Sequence, residues 1–356
     1  MKLLTQRAKS VREIAMLSVS NLHLAFGELD LLFIDSWTIQ ANQKYALVGA
    51  NGTGKSSLIR VLLKTDLPMD GTVHLRNGST IGYLPQQAVS GSSLSLWEEV
   101  RSGMQDILTL ERQLEEAQAK LQSGSAEEQS HYFQIEEKYR QAGGYNQEER
   151  IGSTLHGLGF DPSEWHKSCA LFSGGWQMRI ALAKLLLSNP DLAILDEPTN
   201  HLDYQAKAWL SKHLSEVDYA LLIVSHEGSF LDPICSHVAE IRNKKFYTYS
   251  GSYSQFLTQR EEQIKQTQAA YERQQMQIQH LQSYIDRFGA KATKAKQAQS
   301  RKKQLEKIER IEAPDSISER ASLHFHEAPA SDFLLYQLEK ANIGGTTEDP
   351  LLVDIN

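Results

Sequence analysis

The sequence has few cysteines and no long apolar run. Its 356 residues include two cysteines, Cys169 and Cys235, which are too few and too far apart for a disulfide framework or a zinc site. No apolar run approaches the ~18 residues of a membrane span. Residues 1–15 lack the apolar core and cleavage site of a secretory signal, and we expect them to be an N-terminal extension. These absences predict a cytoplasmic protein with reduced thiols and no membrane partner.

An excess of positive charge is also absent. The formal net charge is −7, with 40% hydrophobic and 23% charged residues, a composition typical of soluble globular proteins. The length suits one large domain or two smaller ones. A nucleic-acid partner would therefore have to be bound by a local basic patch rather than by the protein as a whole.

Short apolar runs alternate with helical stretches from about residue 16 to residue 252, which predicts an α/β domain. Residues 45–48, 192–195 and 221–224 are candidates for buried strands. Residues from about 96 to 150 are instead rich in Glu, Gln and Ala, which predicts a helical insertion within this domain.

Residues 253–312 are rich in Gln and Lys and carry no strand pattern. Apolar residues recur at helical spacing from Ile264 to Phe288, and a second helical pattern follows Gly289 and ends before Pro314. We therefore expect two long helices joined by a short turn, an αα-hairpin. Residues 313–356 loosely repeat the start of the chain and could begin a second copy of the first domain, with an unrelated disordered tail as the alternative.

A glycine-rich segment, Gly-Ala-Asn-Gly-Thr-Gly-Lys-Ser at 49–56, matches the phosphate-binding loop pattern between a predicted strand and a predicted helix. Its glycines allow backbone N–H groups to turn around phosphates, and the helix dipole favours the negative charge. Lys55 is expected to reach the β- and γ-phosphates, and the Ser56 hydroxyl to ligate Mg²⁺. The expected nucleotide-binding residues are Gly49, Ala50, Asn51, Gly52, Thr53, Gly54, Lys55, Ser56 and Ser57.

Two acidic residues follow the apolar run 192–195. Asp196 is placed to hold Mg²⁺ opposite Ser56, and Glu197 to act as general base on the attacking water. Gln86, at another strand end, is a candidate for contact with Mg²⁺ or the water, and His226 for contact with the γ-phosphate. Taken singly, each could be an ordinary strand terminus or surface residue; the phosphate loop favours the catalytic interpretation.

Two further features complete the candidate set. Ser173, Gly174 and Gly175 begin a predicted helix, where exposed N–H groups can bind an anion, although Ser-Gly-Gly is also common in linkers. Phe26 precedes a glycine and is a candidate for stacking on a nucleotide base. An isolated aromatic residue at such a position is otherwise a core residue.

Taken in their order along the chain, from the phosphate loop through Gln86, Ser173–Gly175 and Asp196–Glu197 to His226, the motifs resemble the ATP-binding cassette family over about residues 17–250. The resemblance implies ATP and Mg²⁺ as ligands and a P-loop cassette fold. In that family two such domains dock head to tail, and each ATP lies between the phosphate loop of one and the Ser-Gly-Gly segment of the other. We therefore expect hydrolysis to require a second cassette, on the same longer chain or on another copy.

Within the family, Trp176 and the segment 197–203 (Glu-Pro-Thr-Asn-His-Leu-Asp) resemble the ABC-F subfamily. Its members are soluble proteins with two cassettes that act on the ribosome. Residues 291–301 resemble the linker motif of that subfamily that contacts transfer RNA, and the insertion occupies the place of its arm. The resemblance implies a ribosome partner and RNA contacts by six basic residues: Lys291, Lys294, Lys296, Arg301, Lys302 and Lys303.

The charge distribution agrees with an RNA partner. Residues 291–310 hold eight lysines and arginines against two glutamates, in a chain that is acidic overall. A solvated helix face is the alternative. Glu227 and Gly228 depart from the Asp-Arg that usually follows the histidine in relatives, so a contact made by that arginine is in doubt. The competing functions are the ATPase subunit of a membrane transporter and a single-cassette regulator that binds ATP without hydrolysing it.

Overall fold

The structure, a computed structural model, describes residues 15–27, 29–86, 92–121, 125–288, 295–310, 341–343 and 352–355. The chain divides into two compact units, the first ending at Gln263 and the second beginning at Ile264. All but the last residue of the expected N-terminal extension lies outside the described residues.

Nine strands of the first unit form one mixed sheet. They are β1 (Ala15–Phe26), β2 (Leu29–Gln40), β3 (Lys44–Gly49), β4 (Asp70–Leu75), β5 (Ile81–Leu84), β6 (Leu192–Asp196), β7 (Ala220–Val224), β8 (His237–Arg242) and β9 (Lys245–Ser250). Their order across the sheet is β4-β1-β2-β9-β8-β3-β7-β6-β5. The run from β8 to β5 is parallel throughout, whereas β1 pairs with β2 and β4 in antiparallel fashion.

The parallel strands are buried on both faces, which explains their continuous apolar sequences. Every residue of β6 and β7 is buried, and so are the four central residues of β3. The predicted strands at 45–48, 192–195 and 221–224 are thus confirmed. Two apolar cores cover the two faces of the sheet, one of them formed largely by the helices that follow.

The helices of the first unit lie between these strands. They are α1 (Lys55–Leu62), α2 (Leu96–Arg101), α3 (Gln105–Lys120), α4 (Ala126–Gln141), α5 (Gln147–Gly157), α6 (Gly174–Ser188), α7 (Tyr204–Glu216) and α8 (Gly228–Leu231), with 3₁₀ turns at Gly144–Asn146, Pro162–Glu164 and Cys169–Leu171. Where the structure describes this part of the chain, no helix is long and apolar enough to cross a membrane.

The insertion at about 96–150 is helical, as its composition predicts. Ser95 and Ser125 form capping boxes at the starts of α2 and α4, which fixes where these helices begin. Leu96 and Val100 are fully buried, and Glu99 binds the Lys184 ammonium of α6 at 2.7 Å. The first helix of the insertion therefore belongs to the packed core, whereas α3 and α4 pack on each other.

A 36-residue helix, α9 (Tyr253–Phe288), follows β9. The next helix, α10 (Ala295–Glu306), packs against α9. The Tyr284 hydroxyl donates to Oε1 of Gln297 at 3.0 Å, and the Arg301 guanidinium lies 3.9 Å from the Tyr284 ring centroid. These contacts confirm the αα-hairpin. Its predicted turn at Gly289 and its predicted end before Pro314 lie outside the described residues.

Farther along, β10 (Ala341–Ile343) pairs in antiparallel fashion with β11 (Leu352–Ile355). That this segment begins a second cassette stays a prediction.

Candidate nucleotide-binding site

Four loops meet at one edge of the sheet, because the parallel strands β3, β5, β6 and β7 all end there. The phosphate loop follows β3, Gln86 follows β5, Glu197 follows β6 and His226 follows β7. Together these loops line one cleft. Its lining residues are Leu31, Asn51, Gly52, Gly54, Lys55, Ser56, Ser57, Gln86, Asp196, Glu197, Val224 and His226.

The phosphate loop needs its glycines for two different reasons. A Cβ on Gly49 would lie 2.8 Å from the Ile241 carbonyl oxygen and 2.9 Å from the Thr53 Oγ1, so a side chain has no room there. Gly54 has a φ of 99° and forms the N-cap of α1, a left-handed conformation that favours glycine. The Thr53 hydroxyl donates to the Ala50 carbonyl at 2.9 Å, which ties the loop to itself.

The Lys55 ammonium lies inside this loop. It donates to the carbonyl oxygens of Gly49 and Ala50 at 2.6 and 3.0 Å. Burial lowers the pKa of Lys55, while Glu197 and Asp196 raise it. The ammonium is thus held by backbone carbonyls of the phosphate loop, where its charge can bind an anionic phosphate.

An oxygen donor set for a hard cation lies beside the loop. Asp196 is the last residue of β6 and is 7% exposed, and Ser56 is the second residue of α1. Burial raises the pKa of Asp196, and Lys55 lowers it. One hydroxyl and one carboxylate suit Mg²⁺, which is usually held by one or two protein oxygens together with phosphates and water. The residues present therefore fit the expected metal, with Gln86 at the exposed rim.

Glu197 stands out in its backbone conformation. Its φ is 51°, a left-handed value that is costly for a residue with a side chain and that clusters at functional sites. The Glu197 Oε1 lies 3.3 Å from the His226 Nε2, and the Glu197 side chain is 14% exposed. Burial raises the pKa of Glu197, His226 lowers it and Asp196 raises it again. A partly buried carboxylate that lines the cleft suits a general base.

The Ser-Gly-Gly segment lies elsewhere. Ser173 is the N-cap of α6, and Gly174 and Gly175 form its first turn. None of the three lines the cleft around the phosphate loop. Trp176 instead packs on Phe160 at 4.9 Å. Within the described chain, the two candidate phosphate-binding segments therefore do not line the same cleft.

The loop after β7 departs from the pattern usual in relatives, and the structure shows what replaces it. Glu227 binds the Lys207 ammonium of α7 at 2.6 Å. A Cβ on Gly228 would lie 2.7 Å from Cε1 of Tyr253, the first residue of α9. An arginine therefore has no room at position 228. Sequence inspection missed this contact, since no local pattern links the two residues.

Other predicted residues are placed only in part. Phe26 is the last residue of β1, but its side chain lies outside the described structure, so adenine stacking stays a prediction. Leu31 lines the cleft and had not been predicted, because an apolar residue in a strand gives no signal of ligand contact. Lys302 and Lys303 are exposed on α10. Lys291, Lys294 and the Lys296 side chain lie outside the described residues.

Fold and cleft together define a P-loop nucleotide-binding domain of the ATP-binding cassette type. Two family models, both described as ABC transporter, match residues 34–200 and 239–325. The solved structure of an ATP-binding subunit of an ABC transporter aligns with a TM-score of 0.50 at 20% identity, covering 66% of this chain and 90% of that one. This likeness supports the fold.

Comparison with curated relatives identifies the branch of the family. The chain is 40% identical over 329 residues to the probable ATP-binding protein YheS of Haemophilus influenzae, covering 92% of this chain and 50% of that protein. It is 33% identical over 306 residues to ATP-binding cassette sub-family F member 3 of Homo sapiens, covering 85% of this chain and 42% of that protein. The chain belongs to the ATP-binding cassette family, in its F branch. It spans about half the length of the curated relatives it matches.

Proposed function

We propose that this chain supplies one cassette of an ATP-hydrolysing factor that acts on the ribosome in the cytoplasm. The cleft at the ends of β3, β5, β6 and β7 supports the ATPase part, because a phosphate loop, the candidate cation ligands Asp196 and Ser56, and the partly buried Glu197 all line it. The F-branch relatives and the basic segment on α10 support the ribosome part.

The residues of the cleft divide the chemistry among them. Backbone N–H groups of the loop and the Lys55 ammonium bind the phosphates, and Ser56 and Asp196 would hold Mg²⁺. Bound there, the cation would neutralise charge on the phosphate oxygens. Glu197 would take a proton from the attacking water, while His226, 3.3 Å away, would orient that carboxylate and the γ-phosphate.

A second cassette is needed to complete each ATP-hydrolysis site. Ser173, Gly174 and Gly175 begin α6 and do not line the cleft around Lys55, so one chain presents two half-sites. Docked head to tail, two cassettes would each cover the other's nucleotide and exclude water. ATP binding then closes the pair of cassettes. In this state α9 and α10 contact transfer RNA through Arg301, Lys302 and Lys303, and ATP hydrolysis reopens the pair.

A trapped variant tests this proposal. In the full-length protein, Glu197→Gln should leave ATP binding intact and stop hydrolysis, so that ATP holds the factor on ribosomes through co-sedimentation. Glu115→Gln, an exposed glutamate on α3 with the same change in charge, is the matched control. Release of the trapped variant at the wild-type rate would refute the ribosome cycle. Co-purification with a membrane protein would point to a transporter subunit instead.

A separate assay addresses hydrolysis. Turnover by the isolated chain that disappears in Lys55→Ala would show that one kind of cassette suffices and would remove the binding-only regulator. Absence of turnover by the chain alone, with turnover restored by a second cassette, would confirm the need for a partner.

A further inference from the structure

A second cavity opens on another part of the first unit, between α5, the end of α6 and α7. The residues that matter for its chemistry are Arg150, Leu187, Trp209, Lys212 and His213. None of them lines the nucleotide cleft. Trp209 and Leu187 supply an apolar wall, and Arg150 and Lys212 supply hydrogen-bond donors.

Arg150 is the first unusual residue of this cavity. Its side chain is half-buried, and burial is the cause that lowers its pKa. In the described part of the chain it makes no ion pair and no hydrogen bond. A half-buried guanidinium without an ion pair can still form a charge-assisted hydrogen bond with an anionic ligand.

His213 is the second unusual residue of this cavity. Its Nε2 is buried and has no hydrogen-bond partner among the described residues. The imidazole stacks on Trp209 with ring centroids 5.0 Å apart and planes 13° apart, which fixes its orientation. Burial lowers the pKa of His213, Glu216 raises it and Arg150 lowers it again. Because this nitrogen is closed off from solvent, His213 contributes to the cavity through its ring, which is held against Trp209.

We propose that this cavity binds a small organic oxyanion, with its carboxylate or phosphate held by Arg150 and its apolar part against Trp209 and Leu187. A guanidinium fork matches two oxygens of either group. Glu149 and Glu216, both exposed, lie at the same cavity and oppose an extended polyanion. The charge pattern therefore favours a small ligand over a nucleic-acid backbone.

Two probes test the site, benzoate for a carboxylate and phenyl phosphate for a phosphate, each titrated calorimetrically into the purified protein. Arg150→Met should weaken binding of at least one probe by about tenfold or more, as loss of a charge-assisted pair predicts. Arg150→Lys keeps the charge but loses the two-pronged guanidinium, so its affinity for the probe should lie between those of the wild type and Arg150→Met. Arg112→Met, an exposed arginine on α3, is the matched control and should leave binding unchanged.

Thermal unfolding separates binding from packing. Because Arg150 lacks a partner, Arg150→Met should leave the melting temperature unchanged or raise it while it weakens binding. Any binding of a probe at the phosphate loop is the same in wild type and Arg150→Met, so the difference between them reports on this cavity. Equal binding by the two proteins would therefore overturn the proposal. Failure of both probes to bind the wild type would overturn it as well. Neither outcome bears on ATP hydrolysis, so this site stands or falls independently of the proposed function.

Discussion

The Oε1 of Glu197 and the Nε2 of His226 lie 3.3 Å apart, although the two residues follow different strands of the sheet. Their neighbourhood is created by β6 and β7, which are adjacent and parallel with Asp196 opposite Val224. The Glu197 N–H also donates to the Val224 carbonyl at 2.9 Å. Sheet register therefore sets the distance between the proposed base and the residue that orients it.

Removal of the proposed base should separate binding from chemistry. Glu197→Gln keeps the size of the side chain but cannot take a proton, so we expect kcat for ATP hydrolysis to fall about 10²-fold or more while the Kd for ATP changes little. Steady-state turnover and equilibrium binding of the assembled factor measure the two quantities. Glu227→Gln is the neighbouring control. If both variants hydrolyse ATP at the same rate, Glu197 is not the base.

Asp196 and Glu197 should lower the stability of the nucleotide-free protein at neutral pH. Burial raises both pKa values above 3.8 and 4.5, so both groups favour the protonated form on folding. Below the unfolded pKa values both groups are protonated in either state and cost no stability, and the destabilisation grows as pH rises through the raised folded values. Asp196→Asn should therefore raise the melting temperature near neutral pH by a few degrees, at about 2–4 °C per kcal/mol.

Thermal unfolding at a series of pH values checks this expectation. The gain from Asp196→Asn should shrink toward pH 4 and should be absent in Asp106→Asn, an exposed carboxylate on α3. A gain of equal size at every pH would contradict the assigned cause.

Sequence patterns identified the cleft well because its parts are local. The strand, the glycines and Lys55 lie within twelve residues, and each has a chemical reason visible in the letters themselves. Contacts between distant residues left no such signal. Leu31 in the cleft, and the Tyr253 ring over Gly228, arise from packing that periodicity does not encode.

Packing between Gly228 and Tyr253 should tolerate no side chain. Gly228→Ala places a Cβ 2.7 Å from Cε1 of the ring, and we expect a loss of about 1–3 kcal/mol in the free energy of unfolding. Gly174→Ala, where a Cβ meets nothing within 4 Å, is the control. In the double variant with Tyr253→Ala, part of the loss should be recovered. Simple additivity in denaturant unfolding would show that the clash is absorbed elsewhere.

The base of the long helix α9 is fixed by an ion pair with the sheet. Glu240 on β8 is 4% exposed, and its Oε1 accepts from the Arg260 Nε at 2.6 Å. The Tyr249 hydroxyl donates to the other oxygen at 3.1 Å. Arg260→Met would leave the carboxylate buried with one fewer donor. Because the arginine is partly exposed, we expect a loss of about 1–3 kcal/mol rather than the full 3–5 kcal/mol of a wholly buried pair.

Denaturant unfolding of the chain measures this loss, and hydrogen exchange localises it. Arg140→Met removes an arginine whose partner, Glu137, is exposed, and should leave the free energy of unfolding nearly unchanged. Faster exchange in the first turns of α9, with the phosphate loop unchanged, would place the effect where the helix leaves the sheet. Equal losses in the two arginine variants would mean that Glu240 is satisfied without Arg260, and that the apolar contacts of Phe256 hold the helix there instead.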